Sequence, residues 1–158
     1  MREHKLINKA KIDAMANAKT HGDMLRVAGF IPIGFWFKQK PERPAWDTRP
    51  LPPDPDGLLW PGDVIDLTWD AAERAKVVEY LKTAKVFMGW MGYSWCRLCA
   101  ETEPPRDPSE HRLRDWECLG STDRFDGKFV WPDGYSHYVE THGVKPPQEF
   151  IDHALGRK

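Results

Sequence analysis

The apolar positions along the chain change period from one stretch to the next, and each period predicts an element. In residues 4–20, Ile7, Ala10, Ala14 and Ala18 recur near helical spacing, and His21-Gly22 supplies a stop, so a first helix is expected there. "VAGFIPIGFWF" (27–37) is apolar, with β-branched and aromatic residues, but Gly29, Pro32 and Gly34 interrupt it. It therefore reads as an edge strand or an extended hydrophobic segment. The clearest helix is "TWDAAERAKVVEYLKTAKV" (68–86): Asp70 and Glu73 are spaced as a capping box, and Val77, Tyr80, Leu81 and Ala84 form one apolar stripe. "VFMGWMGYSW" (86–95) then reads as a glycine-interrupted strand running into Cys96.

Later in the chain, "DRFDGKFVWPDG" has strand-turn-strand chemistry, with Asp126-Gly127 as the hairpin turn and Lys128 to Trp131 as the second strand. Pro132 and Asp133 open a short helix, and "KPPQEFIDHAL" (145–155) predicts a last one, with Phe150, Ile151, Ala154 and Leu155 on one side. Two stretches resist regular structure. Residues 38–63 contain seven of the fourteen prolines and read as an extended arm that wraps the domain or docks on another protein. Within the arm, Trp46, Leu58, Leu59 and Trp60 argue against a fully solvated linker. Residues 100–117 are charged, carry three prolines and read as a surface loop.

These elements describe an α+β protein: residues 1–67 form an N-terminal helix and Pro-rich arm, and residues 68–158 a small domain, together one globule. A chain of 158 residues, 41% hydrophobic, can bury a substantial core, and eight Trp, seven Phe and four Tyr make aromatic packing its main source. With 23 basic against 24 acidic residues, global attraction to nucleic acid or anionic membrane is not implied. No apolar run of about 18 residues occurs, and "MREHKLINKAK" lacks the apolar centre of a signal peptide, so a cytoplasmic protein is expected.

The candidate chemistry lies in four residues. Cys96 and Cys99 form a Cys-x-x-Cys, which presents two thiolates from one turn, and His137 and His142 form a His-x4-His on the helix after the hairpin. The order of knuckle, β-hairpin and helix is that of a zinc-finger-like unit. The 37 residues between Cys99 and His137 exceed the ~12–15 of a compact finger, and the 100–117 loop accounts for most of the excess. Cys118 is a rival ligand in a three-cysteine, one-histidine set, and a metal-free or redox cysteine pair is the alternative. A thioredoxin-like site is disfavoured because no βαβ unit surrounds Cys96.

"YSWCRLC" followed by "LGSTDRFDGKFVWPDGYSHYVETHGVKPPQEFIDHAL" resembles an uncharacterised family of small bacterial and phage proteins. Its pattern runs Cys-Arg-x-Cys, Asp-Gly, Trp-Pro-x-Gly-x-x-His-Tyr-Val, His and Pro-x-x-Phe. The resemblance covers roughly residues 68–155. It implies metal ligands at Cys96, Cys99, His137 and His142, with Trp131, Pro132 and Gly134 shaping the helix entry, and it implies no reaction.

Four protein ligands suit a closed, structural Zn2+ rather than a catalytic one, which keeps a position open. Glu140 is the one candidate general base for a zinc hydrolase, and no paired-carboxylate, Ser-His-Asp or phosphate-loop signature occurs. The expectation is a non-enzymatic, zinc-stabilised module that binds a protein partner, as an adaptor, inhibitor or assembly component. The alternative is a nucleic-acid binder using Arg97, Arg106, Arg112, Arg114, Arg124 and Lys128 beside Trp116, although acidic residues interleave with them.

Overall fold

The computed structural model describes residues 9–18, 21–36, 44, 46–53, 57–91, 94–102 and 119–157. Six α-helices and four strands follow in the order α1 (Lys9–Ala16), α2 (His21–Ala28), β1 (Ile31–Pro32), α3 (Ala71–Thr83), β2 (Lys85–Gly89), α4 (Arg97–Thr102), β3 (Thr122–Phe125), β4 (Phe129–Pro132), α5 (Tyr135–His142) and α6 (Gln148–Ala154). The class is α+β. His21 and Gly22 do not end a helix; they form the first turn of α2, where Asp23 complements the helix N-terminus.

The strands form one sheet in the order β1-β4-β3-β2. β3 and β4 are the expected hairpin: the Asp126 carboxylate accepts the backbone N–H groups of Lys128 and Phe129, both at 2.8 Å, which closes the turn. β2 pairs antiparallel with β3 and is bulged between Val86 and Met88. The interrupted "GFIPIGF" segment supplies β1, which joins β4 in parallel at the far edge, where Pro32 is tolerated.

α3 is capped as its sequence predicts, with the Asp70 carboxylate accepting the Glu73 N–H at 2.7 Å. Glu73 does not reciprocate. Its carboxylate takes the Trp69 indole N–H at 2.7 Å and meets Arg157 near the C-terminus, which ties the helix start to the chain end.

The core forms where α3, α5 and α6 meet the sheet. Val77 and Leu81 from α3, Phe129 and Trp131 from β4, Tyr135, Tyr138 and Val139 from α5, and Phe150 and Ile151 from α6 are all buried. Phe150 sits edge-on to both Phe129 and Trp131, with ring centroids 5.1 and 5.4 Å apart. The N-terminal segment belongs to this core, because Ile33, Trp36 and Trp60 pack into the same cluster. Trp60 therefore fastens the arm, whereas Trp46 stays 79% exposed. Among the described residues no helix is long and apolar enough to cross a membrane.

Candidate metal centre

Cys96 follows an isolated bridge residue and immediately precedes α4, so Cys99 lies in the first turn of that helix. α4 thus takes up residues 100–102 of the expected loop, and residues 103–117 lie outside the described set. β2 and β3, which flank the cysteines, run antiparallel, so the pair sits in no βαβ unit.

α5 enters from the hairpin through a tight approach. A Cβ on Gly134 would collide with the Leu119 side chain, so the chain can turn there only without one. On an ideal helix, residues five apart point about 140° away from each other. Both histidines lie within α5, His142 as its last residue. Gly143 takes a left-handed conformation at φ 70°, and its N–H and that of Val144 close on the Tyr138 carbonyl. The two imidazoles nevertheless converge, with ring centroids 5.1 Å apart.

Cys96, Cys99, His137 and His142 present donor atoms that all lie within 4.8 Å of one another, and the group could hold a metal ion. Cys96 Sγ is 3.3 Å from His142 Nε2, and Cys99 Sγ is 3.4 and 3.3 Å from the Nε2 atoms of His137 and His142. The thiols are buried and the imidazoles half-buried. Burial, and for His137 also the neighbouring His142, lowers both histidine pKa values, which favours the neutral ring that a metal requires.

The surroundings hold these side chains in place. The Cys99 N–H points to Cys96 Sγ at 3.4 Å, and Thr141 Oγ1 lies 3.3 Å from His137 Nδ1, leaving Nε2 directed at the thiols. The Tyr138 hydroxyl accepts the Arg97 N–H at 2.9 Å and donates to the Trp95 carbonyl at 3.5 Å, which bolts α5 to the cysteine turn.

Residues 68–155, more than half of the chain, match the family described as a domain of unknown function, DUF7919. The chain belongs to the DUF7919 family. No curated protein and no solved structure matches it. The matched DUF7919 span contains all four clustered residues and coincides with the stretch over which the resemblance was read.

Outside the cluster, the other candidates in this DUF7919 chain divide. Cys118, Arg106, Arg112, Arg114 and Trp116 lie outside the described residues. Glu140 is exposed on α5 and binds Lys82 at 2.6 Å. Tyr138 carries no sequence signal because its role depends on tertiary contacts with Arg97 and Trp95, whereas Thr141 lies one turn after His137 on α5, a spacing visible in the sequence.

Proposed function

We propose that this DUF7919 protein is a non-enzymatic module that binds a protein partner and is stabilised by a structural Zn2+ held by Cys96, Cys99, His137 and His142. The donor chemistry supports zinc: two thiolates and two imidazoles are its usual structural set. Tetrahedral zinc with Zn–S about 2.3 Å and Zn–N about 2.0 Å sets S···N separations of about 3.5 Å. The observed 3.3–3.4 Å separations agree with this to within a few tenths of an ångström. When bound, the ion supplies cross-linking and no open coordination position. Glu140, the candidate base for a hydrolase, is exposed and paired with Lys82, which counts against a hydrolytic role.

The observation that carries the interaction reading is the outer edge of β2. Among the described residues β2 is the last strand of the sheet, and Val86 and Met91 are exposed at 55% and 108%. Trp90 leaves 44% of its surface in solvent while its indole N–H is held by the Asp123 carboxylate at 3.0 Å. An open strand edge flanked by a pinned aromatic suits an extended peptide, which would add backbone hydrogen bonds along β2 and bury its side chains on the apolar ones. Against the nucleic-acid reading, Arg124 is neutralised by Asp133 and Lys128 by Glu149.

Selection of extended peptides from a displayed library, followed by NMR mapping, tests this reading. Expected binders perturb the amides of residues 85–91 and lose affinity in Val86→Lys. Binders that perturb other surfaces and ignore Val86→Lys would refute the β2 assignment. Salt-sensitive DNA or RNA binding at micromolar protein would favour the nucleic-acid alternative.

A further inference from the structure

A second concavity lies away from the cysteine cluster, between the N-terminal segment and the start of α5. It encloses about 230 Å3, and its lining includes Arg26, Trp36, Leu58, Val64, Tyr135 and Lys145. The walls are largely apolar, and among the described residues none that lines them is acidic.

One polar group in these walls is buried without a partner. The Trp36 indole N–H makes no hydrogen bond in a side chain only 8% exposed. Removing such a group from water without compensation is costly, so native proteins satisfy it with protein, water or ligand. Tyr135 is 1% exposed, and burial alone drives its pKa upward. Both groups are donors at neutral pH, the indole obligatorily so.

Two cations stand at the same cavity. The Lys145 ammonium uses one direction on Asp66 at 2.9 Å, and Arg26 approaches Asp23 at 3.5 Å. Each retains further N–H donors, since an ammonium has three and a guanidinium five. The described lining of the cavity therefore offers apolar walls and an excess of donors, and it includes no carboxylate. Its size narrows the occupant further: a cavity of ~150 Å3 holds benzene, and drug-sized ligand sites start near ~300 Å3.

From this combination we infer that the cavity is a binding site for a small acid with a single aromatic ring, the ring lying against Trp36 and Tyr135 and the carboxylate meeting Lys145 and Arg26. The site is independent of the metal cluster and of the β2 edge.

Phenylacetate, its uncharged analogue benzyl alcohol, and acetate are the probes, titrated into the full chain and followed by 15N NMR. The Trp36 indole resonance is assigned from its loss in Trp36→Phe. Phenylacetate is expected to shift that resonance and the Tyr135 and Lys145 amides saturably, with Kd about 0.1–1 mM. Acetate and benzyl alcohol are expected to bind at least about tenfold more weakly. Lys145→Met and Arg26→Met should each weaken phenylacetate severalfold and leave benzyl alcohol unchanged. Either variant suffices if the other perturbs the spectrum of the free protein. A folded protein with no saturable shift from phenylacetate would mean that water alone fills the cavity, and would overturn the proposal. Equal affinity for phenylacetate and benzyl alcohol would overturn the assignment to an acid.

Discussion

Removal of the metal by chelation is the perturbation that most directly separates a zinc clamp from an ordinary polar cluster. Without an ion, the three S···N contacts at 3.3–3.4 Å are neutral hydrogen bonds to thiols, worth about 1 kcal/mol each at most. With an ion, the folded state gains RT ln(1 + [M]/Kd), about 4 kcal/mol when free metal exceeds Kd a thousandfold. Each kcal/mol moves the melting temperature of a chain of this size by about 2–4 °C, so saturation contributes about 8–16 °C. The metal-free protein should therefore melt that much lower in chelator, and His142→Ala should melt low with or without chelator. Elemental analysis should give about one zinc per chain in the wild type. Thermal melts of both proteins, with and without a strong chelator and alongside thiol titration, read these quantities. Folded wild-type protein carrying no metal, with a melting temperature indifferent to chelator, would refute the clamp.

Other substitutions probe the frame around the site. Gly134→Ala forces a Cβ into Leu119 at the entry to α5, and should cost about 1–3 kcal/mol in denaturant unfolding and weaken metal retention; a wild-type midpoint would show that the approach relaxes freely. Phe150→Ala removes a fully buried ring that meets Phe129 and Trp131, and should cost about 3–5 kcal/mol by urea titration. Asp66 has its pKa lowered to about 2, first by the Thr68 hydroxyl and then by Lys145. Its stabilising contribution is therefore present above the unfolded pKa near 3.8 and is lost as pH falls toward 2. Asp66→Asn should flatten the dependence of stability on pH between those values; an unchanged slope would show that these contacts do not persist in solution.

Much of this structure was legible because its signals are local. The Asp70 cap, the Asp126-Gly127 turn, the Val77 and Leu81 stripe and the Phe150 and Ile151 pair follow from short-range geometry and periodicity, and they occur where those patterns stand in the chain. The four clustered residues were legible too, because Cys-x-x-Cys and His-x4-His are spacings with chemical meaning. Less legible were elements that depend on distant partners. "GFIPIGF" becomes a parallel edge strand only because β4 is there to pair with it, and a proline-rich arm is fastened by Trp60 while the nearby Trp46 remains in solvent.

By itself, then, the sequence determined the α+β class, the Asp70 cap, the hairpin and the identity of four metal-competent donors, since each rests on interactions within a few residues or on side-chain chemistry alone. The tertiary structure decided that those donors converge. A five-residue histidine spacing points two Cβ directions apart on a regular helix, yet with Tyr138 bolting α5 to the cysteine turn both rings reach the thiols. It also decided where the cavity donors gather: Trp36 and Tyr135, about a hundred residues apart in the chain, meet at one cavity wall because β1 docks beside β4. Periodicity carries no information about such a meeting, because it arises only when the hydrophobic faces of separate segments are buried against each other.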